Sequence, residues 1–346
     1  SYYAVDKYLT GQNEELMMHA SPLEALYQVY RALRAHRQEH HLVMEDRQEY
    51  RWIMGDDKQI DHIEPFEKML SQRLVEECMI ATNRCAARFL NERNASGPYV
   101  THPGFRSDRL DETRKFLDMH APQAAQQDPK TVEGYRSIIR ALSQPEQELP
   151  LRTMVNRLLT RAELTVKPAP HMGMALEHYT NCTSPLRKYV DFLVHLQIKA
   201  ALHDDEAKMV DDQLLKDLSS RIASARAATL EAERWLASKH LARMSAQREG
   251  MTFKARVTHV NSSGFTVRLD DNGLSGFVDL RKDPEKFSYD KWTASLTSTT
   301  RRFQLDKPVE LRFIGVDRDN QYQASFELVE GCGLKPPKEE KKTAAE

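Results

Sequence analysis

The hydrophobic pattern of the chain changes at Gly250, and this change constrains the fold more than any other feature of the sequence. Before Gly250, apolar residues recur at helical spacing; after it, apolar and polar residues alternate, with many aromatic and β-branched side chains. One kind of secondary structure cannot serve both patterns. The sequence therefore predicts an α+β protein, in which a helix-rich part precedes a small all-β part.

The part before Gly250 is predicted to contain helices joined by turn-rich segments. One β-hairpin is also expected there, pairing the strand-like Leu42–Met44 with Tyr50–Met54 across the turn-prone Glu45-Asp46. Pro185 suits the first turn of the helix that it begins. The predicted helices cover 22–38, 63–92, 107–120, 129–142, 185–202 and 211–245.

The part after Gly250 is predicted to form a closed barrel. Five short strands within about 80 residues, separated by turns such as Asp270–Gly273, suit a small barrel of the OB type. A Lys/Glu/Pro-rich tail over 331–346 is predicted to be disordered. The predicted domains are thus 1–247, 250–330 and the tail. The strands are expected at 253–257, 265–269, 274–280, 308–316 and 321–329.

Basic and aromatic residues interleave along the predicted barrel. Exposed rings on such a barrel can stack on bases, while Lys and Arg follow the phosphates. The plainer interpretation is that the rings form the barrel core, because alternation turns half of the residues inward. For the barrel as a whole, nucleic-acid or oligosaccharide binding is the favoured function. The candidates are Phe253, Lys254, Arg256 and Phe265, with Arg268 and Phe277 beside them.

Composition excludes several classes of protein. No run of 18 apolar residues occurs, so no membrane-spanning helix is expected. The four cysteines are widely spaced and form no CxxC pair, which favours a reducing, cytoplasmic setting and argues against a structural zinc site. The 50 Lys and Arg against 51 Asp and Glu give a net charge of −1, whereas nucleic-acid-binding domains are often basic.

The segment 178–191 resembles the signature of the ribonuclease II family, approximately Y-x-x-x-T-S-P-I-R-[RK]-Y-x-D followed by a helix that contains His. Segment 75–83 is similar to the family's central helix, V-E-E-x-M-I-x-x-N, and Asp46-Arg47 and Ala232–Arg234 also fall where the family has them. The barrel resembles the family's ribosomal-protein-type OB domain. The matching signature residues are Tyr179, Thr183, Ser184, Pro185, Arg187, Lys188, Tyr189, Asp191 and His195.

This resemblance implies a helix-rich C-terminal half of an RNB catalytic domain, nearer ribonuclease II than ribonuclease R, because Arg187 is followed by Lys and the basic tail is short. Family members are processive, magnesium-dependent 3′-to-5′ exoribonucleases that usually act as monomers and hydrolyse single-stranded RNA to nucleoside 5′-monophosphates. Their magnesium ligands form an Asp cluster, D-x5-D-x-D-D, which this sequence lacks. We therefore expect a fragment whose metal ligands lie in a missing N-terminal part, and which alone binds single-stranded RNA weakly without cleaving it.

The other Asp pairs of the sequence do not replace that cluster. They have different spacing and neighbours, and they lie in turn-like or solvated helical stretches where surface Asp is ordinary. No metal ligand is therefore predicted among them. These pairs are Asp56-Asp57 with Asp61, Asp204-Asp205, Asp211-Asp212 and Asp270-Asp271.

Two residues are predicted to be catalytic. Arg187 can clamp two phosphate oxygens and stabilise charge that develops in the transition state, and the resemblance places it beside the scissile phosphate. Glu233 matches a family Glu near the 3′-terminal nucleotide; its residue pattern alone would suggest only a solvated Glu. A surface or ion-paired role remains the alternative for Arg187.

Further residues are expected to contact RNA because of the resemblance. Tyr2 matches a family Tyr near the terminal nucleotide, and Glu76 matches a Glu near the catalytic centre, although a helix cap or ion pair would equally explain Glu76. Met44 stands where this branch has a stacking Phe, and methionine offers no π-face. Within the signature, Ser184, Lys188 and Tyr189 are the expected RNA contacts, with packing as the alternative for the last two.

Three alternatives stay open. The chain could be a non-catalytic single-stranded RNA-binding or regulatory protein on the same scaffold, or one half of an enzyme made of two chains. His36, His40 and His41 could suggest a metal site, but their spacing fits the end of a helix and a loop better.

Overall fold

The structure is a computed structural model that describes residues 1–43, 48–145, 147–203, 210–248 and 250–336. Two compact units result from the contacts within it. The helical unit comprises Ser1–Arg47, Glu67–Glu146 and Leu151–Ser224, and the barrel unit comprises Gln48–Phe66, Gln147–Pro150 and Ala225–Glu346. Across the described part of the chain, no helix combines the length and hydropathy that crossing a bilayer requires. The domain boundaries given above remain predictions.

The α+β fold class is confirmed, with helices followed by a closed five-stranded barrel. The helices are α1 (Tyr2–Leu9), α2 (Ala20–His40), α3 (Leu70–Glu92), α4 (Leu110–His120), α5 (Val132–Ala141), α6 (Leu151–Met154), α7 (Tyr189–His203) and α8 (Asp212–Gln247). The strands are β1 (Glu49–Met54), β2 (Ile60–Phe66), β3 (Tyr99–Thr101), β4 (Glu163–Thr165), β5 (Thr252–Asn261), β6 (Gly264–Leu269), β7 (Ser275–Asp279), β8 (Ser288–Asp290), β9 (Ser295–Thr297), β10 (Arg302–Gln304), β11 (Pro308–Asp317) and β12 (Gln323–Leu328).

Helix α3 is the central packing element of the helical unit. Its residues Ala87 and Leu90 are fully buried, and they form one core cluster with Tyr99 on β3 and Val194 on α7. Small and branched side chains on this stripe allow α7 to lie close to α3. The predicted helices over 22–38, 107–120, 129–142 and 211–245 correspond to α2, α4, α5 and α8, and those predictions are confirmed.

The predicted hairpin has the wrong partner strand. Strand β1 pairs antiparallel with β2, which follows it, rather than with the segment around Leu42 that precedes it. The residues Ile60–Phe66 are therefore a strand, and α3 begins only at Leu70. Pro65 lies in this strand opposite Tyr50, and a proline disfavours the helical conformation of the residue before it, which argues against a helix beginning at 63. Met44 lies outside the described residues.

Helix α7 also begins later than predicted, at Tyr189 instead of 185. The residues before it form a turn, in which the backbone N–H of Lys188 donates to the Ser184 carbonyl oxygen at 3.0 Å. The Asp191 carboxylate accepts a hydrogen bond from the Ser184 N–H at 2.9 Å. Pro185 consequently lies in a turn before the helix.

The barrel closes through five strands in the order β11-β12-β7-β6-β5, with β5 pairing with β11. All neighbouring pairs are antiparallel except β7 with β12. The interior is apolar, as the alternation predicts, and includes the fully buried Phe265, Val267 and Leu311. A small sheet of β8, β9 and β10 lies between β7 and β11 in the sequence and was not predicted, because each strand has only three residues.

The β1-β2 hairpin packs against the barrel within the barrel unit. Trp52 and Ile63 contact the barrel core, and the Tyr50 hydroxyl donates to the Asp270 carbonyl oxygen at 3.0 Å. Gly273 allows this approach: its φ is +68°, and a Cβ added there would lie 2.1 Å from a ring carbon of Tyr50. A glycine is therefore required at this turn, for both its backbone and its missing side chain.

Candidate functional site

The part of the signature segment that precedes α7 is a loop, and hydrogen bonds attach this loop to α3. The Asn83 side chain donates to the Tyr179 hydroxyl at 3.0 Å and accepts from the Cys182 N–H at 2.9 Å. Asn83 is 4% exposed, and burial raises the pKa of the Tyr179 hydroxyl. An amide in this position satisfies both a donor and an acceptor of the loop, and thereby fixes the loop on the helix.

A second set of hydrogen bonds fixes the loop on α7. Nε2 of His195 lies 2.7 Å from the Cys182 carbonyl oxygen, so this nitrogen carries the proton and donates. Asp191 is 1% exposed; one of its oxygens accepts from Ser184, and the other has no hydrogen-bond partner among the described residues. The loop is thus tied to two helices immediately before Arg187.

Arg187 projects from this loop with its side chain exposed. That side chain makes no hydrogen bond or ion pair with any residue that the structure describes, so the guanidinium is available to an external anion. The neighbouring Lys188 is exposed as well, and Tyr189 is 55% exposed with its ring 6.1 Å from that of Phe192. Ser184 is half-buried, and its described contacts are made through its backbone.

The two glutamates of the central helix have different environments. Glu76 is partly exposed and forms an ion pair with Lys68, which is the alternative foreseen for it. Glu77 is 3% exposed and accepts hydrogen bonds from Arg34 at 2.8 Å and from Arg37 at 2.6 Å and 2.9 Å. Burial acts to raise the pKa of the Glu77 carboxyl, but the hydrogen bonds from Arg37 and Arg34 outweigh it and hold that pKa below its usual value.

This buried ion-pair network was missed from the sequence. Arg34 and Arg37 are three residues apart and therefore lie on one face of α2. This spacing is the feature of the sequence from which the network could have been predicted. The network links α2 to α3. Both carboxylate oxygens of Glu77 accept hydrogen bonds within it, so Glu77 is not free to contact a ligand.

Tyr2 lies at the start of α1 and is 49% exposed. Its carbonyl oxygen accepts a hydrogen bond from the Ser71 hydroxyl at 2.8 Å, and the Ser71 N–H donates to Asp6 at 3.3 Å. These contacts join α1 to the first turn of α3, while the Tyr2 ring remains accessible.

Glu233 lies on α8 with its side chain exposed. It belongs to the barrel unit, whereas Arg187 belongs to the helical unit. The next residue, Arg234, donates to the Gln321 side chain at 2.8 Å. A shared catalytic site for Arg187 and Glu233 remains a prediction.

The candidate residues of the barrel form two groups, one with side chains that point into the barrel and one with side chains that point outward. Phe253 is 4% exposed and Phe265 is fully buried, so neither ring can stack on a base, and the core interpretation is the correct one for both. Lys254 and Arg256 point outward from β5 and are exposed. Arg256 is directly opposite Arg268 on β6, and its guanidinium lies 3.9 Å from an Asp270 carboxylate oxygen.

The residues that the structure describes do not form a magnesium site. Among the described ranges, no group of three or more His, Cys, Asp and Glu is arranged to hold a metal ion. Asp57 accepts from the backbone of Gln59 in the hairpin turn, and Asp61 pairs with His62 at 2.8 Å. Asp204 and Asp205 lie outside the described residues.

Comparison with known proteins identifies the class. Residues 1–204 match the RNB domain family, and residues 246–325 match the S1 RNA binding domain. The first match covers more than half of the chain. The chain therefore belongs to the RNB-domain exoribonuclease family with an S1 domain, and the resemblance to ribonuclease II is confirmed.

Individual relatives show which members of this family the chain is similar to. Exoribonuclease 2 of Serratia proteamaculans (strain 568) is 34% identical over 243 residues, which are 70% of this chain and 37% of that protein. Exoribonuclease 2 of Yersinia enterocolitica is 31% identical over 324 residues, 91% of this chain and 50% of that protein. The chain thus spans half or less of the length of these curated relatives.

A solved structure agrees at the level of the fold. Mycoplasma genitalium RNase R in complex with ribose methylated single-stranded RNA superposes with a TM-score of 0.75. The match covers 95% of this chain and 53% of that one, at 20% sequence identity. At this identity the likeness establishes the fold alone.

Proposed function

We propose that this chain takes part in 3′-to-5′ exoribonucleolytic hydrolysis of single-stranded RNA to nucleoside 5′-monophosphates. In this proposal it supplies RNA-contact residues and does not cleave RNA by itself. The observation that supports the proposal most directly is Arg187: an exposed guanidinium with no partner among the described residues, carried by a signature loop that hydrogen bonds attach to α3 and α7.

The proposed role of Arg187 follows from its chemistry. A guanidinium presents planar paired donors that match two phosphate oxygens, and it stays charged at any physiological pH. Asn83 and Asp191 fix the backbone of the loop, so the position from which the Arg187 side chain reaches a phosphate is defined. Glu233, Tyr2 and Met44 are proposed to lie near the terminal nucleotides, as the resemblance implies.

The barrel is proposed to hold the same RNA strand by its backbone. Lys254 and Arg256 are exposed on β5 and can neutralise phosphates, and the half-buried Phe277 on β7 replaces the buried rings as the aromatic candidate. Glu76, Ser184, Lys188 and Tyr189 remain proposed contacts in the helical unit. Magnesium would supply an activated water and charge neutralisation, but the described residues do not fit its site, so we derive no step through it.

The test of this function is RNA binding and RNA cleavage by the purified 346-residue chain. Fluorescence anisotropy with a 5′-labelled single-stranded oligonucleotide should show binding that Arg187→Ala weakens about tenfold, the cost of losing a charge-assisted hydrogen bond. Arg114→Ala, an exposed arginine on α4, is the matched control and should leave the affinity unchanged. Equal effects of the two substitutions would refute the role of Arg187.

Cleavage distinguishes the alternatives. With magnesium added, the chain alone should release no mononucleotides; their release would refute the claim that metal ligands are lacking. Restoration of magnesium-dependent release by a longer protein with an upstream D-x5-D-x-D-D segment, or by a separate chain that carries it, would support the nuclease. Continued RNA binding without cleavage in both cases would favour the non-catalytic RNA-binding alternative.

A further inference from the structure

A cavity of about 590 Å³ lies in the helical unit, between α2, α3, α5 and the loop 175–178. Its charged lining is mostly basic. Two carboxylates also line it, Glu133 and Glu177, and Glu133 already pairs with Arg136 at 3.3 Å. We call this cavity the arginine–histidine pocket, after its lining residues Arg84, Arg88, Arg136, His36, His40, His41 and His178.

Arg84 is the central observation. It is half-buried, and its guanidinium has no hydrogen bond or ion pair within the described part of the chain. Burial lowers the pKa of Arg84, and the positive charges of Arg88 and Arg37 lower it further, against an opposing effect of Cys85. A desolvated cation without a counter-ion is unfavourable, and an anion in the cavity would relieve this cost.

Two buried ring nitrogens on the same lining also lack partners among the described residues. Nδ1 of His41 lies 2.8 Å from the Ala175 carbonyl oxygen and must donate to it, which leaves Nε2 without a hydrogen bond. Nε2 of His178 lies 3.3 Å from the Asn91 side-chain amide nitrogen, which can only donate. The proton of neutral His178 is then on Nδ1, a buried donor without an acceptor.

The two ring nitrogens have almost no accessible surface, so Arg84 is the group that a ligand in the cavity would satisfy. An oxyanion in the cavity would accept from the Arg84 guanidinium and would supply the counter-ion that it lacks. Buried donors left without acceptors are uncommon in folded proteins because each one costs free energy. The cavity volume lies within the range of small-molecule sites and exceeds what a phosphate alone would fill.

We propose that the arginine–histidine pocket binds a phosphate group, either of an RNA backbone or of a free nucleoside 5′-monophosphate. Guanidinium forks match phosphate oxygens, and the remaining volume accommodates a nucleoside. This inference stands on the cavity alone and does not require the proposed nuclease function.

A metal is the competing ligand. The ring centroid of His36 lies 4.7 Å from that of His40 and 5.5 Å from that of His41, and the centroids of His40 and His41 are 6.5 Å apart. No metal-holding group exists among the residues that the structure describes, and the guanidinium groups beside these rings would repel a cation. The charge of the lining therefore favours an anion.

The test is calorimetric titration of the 346-residue chain with inorganic phosphate, adenosine 5′-monophosphate and a short single-stranded RNA, each as a separate probe. Arg84→Gln should weaken binding of the relevant probe at least about tenfold. Arg88→Gln, at an exposed position of the same lining, should weaken it as well and poses little risk to folding. Arg31→Gln, an exposed arginine of α2 outside the lining, is the matched control and should bind normally.

The probes separate the two sources of phosphate. Pocket-dependent binding of inorganic phosphate or the mononucleotide identifies a free nucleotide, and pocket-dependent binding of RNA alone identifies the backbone. Arg256→Gln on the barrel should leave mononucleotide binding unchanged, so failure of the pocket and failure of barrel-mediated RNA binding are distinguishable. If neither Arg84→Gln nor Arg88→Gln weakens any probe, or if only Zn²⁺ binds and does so through the histidines, the proposal is wrong.

Discussion

The Glu77 network offers the sharpest test of how the helical unit is held together. Replacing Glu77 by Gln keeps the volume of the side chain but removes its charge, so that Arg37, whose side chain is 8% exposed, loses its buried counter-ion. Breaking a buried ion pair from one side costs about 3–5 kcal/mol. Arg34 is 28% exposed and can be rehydrated, and the Gln oxygen still accepts one hydrogen bond, so we expect about 3 kcal/mol.

The measurement is urea unfolding followed by far-UV circular dichroism. All three tryptophans, Trp52, Trp235 and Trp292, belong to the barrel unit, so tryptophan fluorescence reports separately on that unit. With a denaturant slope of about 3 kcal/mol/M, the helical transition should move down by about 1 M. The control is Glu76→Gln: its ion pair with Lys68 is partly exposed, and its loss should cost at most about 1 kcal/mol.

The effect also has a defined pH dependence. Because the folded-state pKa of Glu77 is lowered, its charge stabilises the fold fully above the unfolded-state pKa, about 4.3. That stabilisation is lost as pH falls through the lowered folded-state pKa, so the difference between wild type and Glu77→Gln should shrink from pH 6 toward strong acid. Equal destabilisation by the two Glu→Gln substitutions, or a difference that does not change with pH, would refute the reasoning.

Three further predictions concern the barrel unit. Gly273→Ala should destabilise it by about 2 kcal/mol more than Gly250→Ala in tryptophan-monitored unfolding, because both glycines have positive φ but only Gly273 faces a ring; equal losses would count against the clash. Phe265→Ala should cost about 3–5 kcal/mol in the same assay, and a loss below about 1 kcal/mol would contradict its place in the core. Arg256→Gln should weaken RNA binding uniformly across sequences and reduce the salt slope by about one in anisotropy titrations; an unchanged slope would remove this residue from the phosphate path.

The barrel shows what a sequence pattern can predict. Strict alternation marked its strands within a few residues, because inward and outward positions differ in chemistry at every step. The same alternation does not say which rings point inward, and Phe253 and Phe265, which it leaves as candidate RNA contacts, are both buried. Their orientation depends on register, which is set when β5 pairs with β6 and β11.

Candidate functional residues could be predicted from the sequence where they are contiguous along the chain, and could not be predicted where the fold brings distant residues together. Arg187 could be selected because its signature is a single uninterrupted segment. The arginine–histidine pocket could not, since its lining comes from α2, α3, α5 and a loop that are far apart in sequence. The predicted strand pairing of the hairpin is wrong because the apolar residues after Phe66 continue at helical spacing, so the sequence does not indicate where β2 ends.

The hairpin has a consequence for how the protein is made. Its hydrogen bond from Tyr50 to Asp270 joins residues 220 positions apart, with all of the helices α3 to α8 between them. On the ribosome the hairpin emerges long before the strands that cover Trp52, and closing so long a loop delays its final packing. A barrel expressed from Gly250 onward would lack the strands that cover part of its core, and we expect it to aggregate more readily than the intact chain.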